Sequence, residues 1–169
     1  MKRTLLIVAS GLLVGGFALL IADGPAATAG SHGDGPPDAA AQWKWLEDAA
    51  YRNWAPFPGH PASFYEGTRP HGAKLKTYVN RVAAANPEDP PHGSIIVKEN
   101  YSADEELVAT TIMKRVEGFA PDHGDWWWAK YTADGAVAEQ NGEMVAGAVP
   151  SCIGCHEGAE GDDYVFAND

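Results

Sequence analysis

The chain has 169 residues, 45% hydrophobic and 21% charged, which is the balance of a globular domain and excludes a disordered or fibrous chain. Its 12 Lys plus Arg against 23 Asp plus Glu give a net charge of -11, which argues against nucleic acid or an anionic membrane surface as partner. Only two cysteines occur, Cys152 and Cys155, so a multi-disulfide framework and a four-cysteine zinc site are both excluded within one chain.

Lys2 and Arg3 precede an uncharged run from Thr4 to Ala22, and Ala27-Thr28-Ala29 follows with the small residues of a cleavage site. Residues 1–29 therefore read as a secretory signal cut after Ala29. The apolar run is nearly long enough to span a bilayer, so an uncleaved anchor over residues 4–22 is the alternative, and only in that case is the protein membrane-bound. Either outcome predicts a periplasmic or otherwise exported domain. Residues 30–41, GSHGDGPPDAAA, offer almost nothing to bury and read as a flexible spacer, which leaves 42–169 as the functional domain.

Within that domain, Trp43, Leu46, Ala50 and Trp54 recur at helical spacing and predict a short amphipathic helix over 42–54, stopped by Pro56 and Pro58. The Pro- and Gly-rich stretch 55–72 reads as an irregular loop tied down by Phe57, Phe64 and Tyr65. Four strand signals follow: Leu75 to Asn80, Ser94 to Asn100, Val108 to Gly118, and Asp125 to Tyr131. Most of their separators are turn chemistry too short for crossover helices. The expected fold class is α+β, a mainly antiparallel β-sheet with flanking helices and a C-terminal c-type haem attachment segment. On the last strand Trp127 faces one side of the sheet, and Trp126 and Trp128 face the other.

The chemistry concentrates in Cys152-Ile153-Gly154-Cys155-His156. This spacing is that of a c-type haem attachment site. Cys152 and Cys155 can form thioethers to one covalent haem c while the His156 imidazole, next in sequence, binds iron as proximal ligand. A redox dithiol and a structural disulfide are the competing readings. The dithiol is disfavoured because no thioredoxin-like βαβ setting surrounds the motif.

The ordered set His71-Gly72 before LKTYVN, then Gly93 before SIIVKEN, then GDWWWAKY, then CIGCH followed by Asp163-Tyr164-Val165-Phe166, resembles the cytochrome P-460 family, which includes the cytochromes c′-β. The resemblance runs from about Trp54 to the C-terminus. It implies a homodimer, with His156 as proximal ligand and a distal side left open or capped by apolar residues. Members named for the pigment carry an extra bond from a lysine to the haem edge and oxidise hydroxylamine, whereas the c′-β members lack that bond and bind nitric oxide. The matching lysine is Lys98. In SIIVKEN it alternates with Ile96 and Asn100 and so shares the inward face, the competing reading being a surface lysine paired with Glu99 or Glu117. Catalytic members also carry a distal carboxylate shortly before the haem motif, and the nearest upstream acid here is Glu143.

Three functions stay open at this stage. As an enzyme, a possible hydroxylamine oxidoreductase, the protein would bind a small nitrogenous substrate on an open iron face, with Lys98 tuning the macrocycle and Glu143 taking protons. As a binding protein it would trap a diatomic gas under an apolar lid drawn from Phe57, Phe64 or Phe119. As a carrier it would close the sixth position with Met113 or Met144 and pass electrons to a redox partner protein. His60, His71, His92 and His123 adjoin Gly or Pro and read as turn residues, His71 being the one the family pattern retains.

Overall fold

The computed structural model describes residues 37–166. The signal expected over 1–29 and most of the spacer lie outside them. Helix α1 spans Ala39–Asp48, starting inside the stretch read as spacer because the Asp38 carboxylate accepts from the Ala41 N–H and caps it. It also stops earlier than expected. Ala50 takes a left-handed conformation (φ 47°) and the chain continues as a single 3-10 turn over Tyr51–Asn53. The buried residues of α1 are Ala39, Gln42, Trp43 and Leu46, one helical stripe.

The loop region contributes two short strands, β1 (Ala55–Pro56) and β2 (Tyr65–Glu66). The four expected strands form as β3 (Lys74–Val79), β4 (Ile95–Tyr101), β5 (Leu107–Arg115) and β6 (Trp126–Thr132), with a short helix α2 (Arg81–Ala85) between β3 and β4. A hairpin of β7 (Glu139–Gln140) and β8 (Glu143–Met144) precedes β9 (Ala146–Gly147), and helix α3 (Pro150–His156) follows. The main sheet runs β1-β3-β4-β5-β6-β9 with β2 also on β3, and every pairing is antiparallel. Among the described residues no helix is long and apolar enough to cross a membrane.

The period-2 alternation gives the sheet two faces with separate cores. One face carries Ile95, Val97, Ile112, Trp127, Ala129 and Tyr131, and α1 covers it with Trp43 and Leu46. The other carries Val79, Ile96, Met113, Trp126 and Trp128, and is covered by Phe57 and by Ile153 of α3. The three consecutive tryptophans divide between the faces as the alternation predicts.

Candidate functional site

Register fixes what stands beside α3. Val79, Ile96, Met113 and Trp128 are successive partners across β3, β4, β5 and β6, an apolar row that supports Ile153. Two residues along, on the same face, Thr77, Lys98, Thr111 and Lys130 form the next row. Asn100 follows in β4. The face therefore changes from apolar to polar and cationic within one pleat, and the motif helix sits at that boundary.

On α3, Pro150 occupies the first turn, where its missing N–H costs nothing. Cys152 and Cys155 are three residues apart on the helix, hence on one side of it, and both are free thiols, Cys152 half-buried and Cys155 exposed. Burial pushes the Cys152 thiol up, against the smaller opposing effects of Ser151 and the Lys130 charge. A redox dithiol needs a stabilised thiolate, and burial here acts in the opposite direction.

His156 is buried at the C-terminal end of α3. Its Nδ1 lies 2.8 Å from the Tyr164 carbonyl, an acceptor only, so Nδ1 donates and the lone pair is on Nε2. This is the second-shell bond that orients an imidazole for a metal. Trp128 lies against the ring (centroids 4.6 Å), Phe166 meets it at 5.3 Å and His71 at 6.2 Å, edge-on. Burial, with the Lys98 charge, lowers the His156 pKa against the opposing Tyr164 bond, which favours the neutral, ligating form. Trp126 anchors the returning chain by donating from Nε1 to the Asp163 carbonyl at 2.9 Å.

Lys98 stands on the His156 face, partly buried, and burial lowers its pKa. The pairing with Glu99 weighed for it does not form, because consecutive strand residues face opposite sides. Glu99 is buried on the α1 side, bonded to Tyr51, Arg52, Tyr78 and Tyr101. Among the described residues no carboxylate pairs with the Lys98 ammonium.

His71 also belongs to this face. Burial first, then the charge of Lys98, pushes its pKa down to about 4, so the ring is neutral at neutral pH. Gly72 lets its loop rest on β4: a Cβ there would lie 2.5 Å from both the backbone N and O of Tyr101. A cleft opens over the polar row, lined by His71, Asn100, Thr111 and Lys130 among others.

The remaining expected groups lie elsewhere. Glu143 is exposed on the β7–β8 hairpin, where Asn141 and Gly142 both have positive φ, and its carboxylate makes no hydrogen bond or ion pair among the described residues. Met144 is 66% exposed on the same hairpin, and Met113 is a core residue of the apolar row. Of the lid candidates, Phe57 is buried on the α3 side, Phe119 packs against the α1-side core, and Phe64 meets Tyr101 edge-on under Lys76. Sequence reasoning missed Asn100, Thr111 and Lys130, and left Phe166 and the Tyr164 carbonyl without a role. Strand alternation from Lys98 carries the signal for Asn100.

A buried imidazole with its Nε2 free, next to two unpaired thiols on one helical face, is the donor set of a haem protein. The residues present fit that group: the tautomer is the ligating one and neither thiol is held in a disulfide. A family model described as Cytochrome P460 matches residues 49–167, and the chain belongs to this family of c-type cytochromes, whose cofactor is haem. No curated protein matches the chain.

Proposed function

We propose that the protein is an exported, homodimeric, single-haem cytochrome. Its haem is bonded to Cys152 and Cys155 and ligated by His156, and Lys98 bonds the haem edge. In this reading it oxidises hydroxylamine or handles related nitrogen oxides at an open coordination position, the electrons leaving to a redox partner protein. The observation that carries it is Lys98, an amine held on the His156 face without a carboxylate, with its charged form disfavoured by burial. Burial shifts the amine toward its uncharged, nucleophilic form. Joining it to the haem edge would replace one N–H and one haem C–H by a C–N bond, the two protons and two electrons going to an external oxidant of the peroxide class. When bound, haem supplies an iron centre for one-electron chemistry and small-ligand binding. The chain's own part is to present Nε2 of His156, fixed through Tyr164, to keep water from the imidazole with Trp128 and Phe166, and to place Lys98 from the strand below.

Placement of Glu143 on an exposed hairpin favours a second reading, binding of nitric oxide without turnover, since no distal acid stands near the site in that position. The carrier reading has no support from Met113 or Met144, one in the core and the other in solvent.

The visible spectrum of the dithionite-reduced protein, purified from a host that matures c-type haem, separates these readings. A Soret band displaced far to the red, returning to ordinary c-type position in Lys98→Arg, is the expected result. An ordinary high-spin spectrum unchanged by Lys98→Arg moves the assignment to gas binding, and sharp low-spin bands move it to electron transfer.

A further inference from the structure

The segment Asp163-Tyr164-Val165-Phe166 lies beyond α3 and turns back on it, so that the Tyr164 carbonyl meets Nδ1 of His156 at 2.8 Å. The carbonyl points there from a left-handed residue: Tyr164 has φ 66°. That region is sterically unfavourable for any residue with a Cβ, and an aromatic residue stays in it only where its surroundings hold it. At its own preferred negative φ, the peptide groups of Tyr164 would swing away from the imidazole.

Three contacts hold the turn. Asp163 Oδ1 accepts from the Val165 N–H at 2.8 Å, a bond that spans Tyr164 and closes its backbone into a ring. The Asp163 carbonyl accepts from Trp126 Nε1 at 2.9 Å, which ties the start of the turn to β6. The Tyr164 ring lies over Gly124, where an added Cβ would stand 3.2 Å from it. Asp163 is 5% exposed and Val165 3%, so water does not compete for the bond between them.

We infer that Asp163 is a positioning residue for the iron ligand: by holding Tyr164 left-handed it keeps the Tyr164 carbonyl on Nδ1 of His156, and so sets how strongly Nε2 donates to iron. The inference rests on the ligation by His156 proposed above. A carbonyl that accepts from Nδ1–H leaves more electron density on Nε2, and a stronger imidazole donor favours ferric over ferrous iron. Loss of the turn therefore raises the reduction potential.

The test is the midpoint potential of the haem-loaded protein carrying Asp163→Asn or Asp163→Ala. Both variants remove the carboxylate charge, and only the amide keeps an oxygen in the place of Oδ1. The difference between them thus reads the turn and not the charge. Asp163→Ala is expected to shift the equilibrium about tenfold further toward ferrous iron than Asp163→Asn does, which is about 59 mV for one electron. The iron–histidine stretch of the ferrous protein, read by resonance Raman, should fall in Asp163→Ala and keep its wild-type frequency in Asp163→Asn. Equal potentials and equal stretching frequencies in the two variants overturn the inference. If Asp163→Ala does not fold, Trp126→Phe keeps the carboxylate and frees the Asp163 carbonyl. A potential raised in that variant supports the inference, and an unchanged one overturns it. A wild-type haem protein with no iron–histidine stretch overturns the reading of His156 as ligand of an open iron first, and the inference with it.

Discussion

Glu99 offers the most demanding test of the fold's energetics. Its carboxylate is 1% exposed and both oxygens are taken: Tyr51 donates at 2.9 Å and Arg52 Nε at 2.6 Å to Oε1, Tyr78 at 3.1 Å and Tyr101 at 2.6 Å to Oε2. Burial favours the neutral acid, but the hydroxyl donors and the Arg52 charge outweigh it and hold the pKa below the ordinary 4.5. The same carboxylate, together with burial, pushes Tyr78 up to about 12. A carboxyl whose pKa is lower folded than unfolded stabilises the fold above its unfolded value. That stabilisation is lost as pH falls below 4.5 and through the folded value. Glu99→Gln keeps the shape and removes the charge. The amide oxygen still accepts from Tyr51 and Arg52, but the amide nitrogen in place of Oε2 only donates, so Tyr78 and Tyr101 must turn their hydroxyls to accept; weakening the four bonds at about 1 kcal/mol each comes to about 4 kcal/mol. Arg52 is 49% exposed and its contribution is screened, so the expected loss is about 2 to 3 kcal/mol at neutral pH. Urea unfolding of both proteins at about pH 7 and about pH 3 is the assay, and the difference between them should shrink in acid, because below 4.5 the unfolded wild type takes up the proton that the folded carboxylate resists. A difference below about 0.5 kcal/mol at neutral pH, or one that does not shrink in acid, refutes the reasoning.

Two further perturbations probe the elements around the site. Gly72→Ala puts a methyl 2.5 Å from the Tyr101 backbone, so the loop must lift from β4 and carry His71 away from Asn100. A loss of about 1 to 3 kcal/mol in the urea melt is expected, and unchanged stability contradicts it. Trp126→Phe removes the donor that holds the Asp163 carbonyl and should cost about 1 to 2 kcal/mol. It should also raise amide exchange at Tyr164 to Phe166, and unaltered protection there counts against the anchoring role.

The strands were legible because β-branched and aromatic residues alternate over several positions, and the same alternation placed Lys98 with Ile96 and divided Trp127 from its neighbours. The Cys-x-x-Cys-His motif was legible from its spacing, whereas the helix over Pro150–His156 that carries it was not among the expected elements. Less legible were contacts made at long range in the chain: His71 meets Asn100 across 28 intervening positions of sequence, through a glycine whose close approach no local pattern announces. The Tyr164 carbonyl reaches His156 only because the chain turns back after α3. The position of Glu143 was readable in principle. Asn141-Gly142 is a two-residue hairpin signal, and a residue directly after such a turn projects from a hairpin tip rather than into a pocket. The early end of the first helix came from Ala50, a left-handed residue that composition does not flag.

Consecutive residues of β4 divide two tasks between the sides of the sheet. Behind the strand, Glu99 is gripped by four side chains from two other segments and from β4 itself; in front, Lys98 extends from the same stretch of backbone. The strand is also flanked on both edges by β3 and β5, so its Cα positions have little freedom to slide. The base of the Lys98 side chain is thus stationary, and only its four-carbon stem can search. In the proposed arrangement a planar group tied to α3 alone could swivel about that helix, whereas a second tether rising from an immobile strand removes the swivel. The orientation of the plane is then set by the sheet rather than by the short helix.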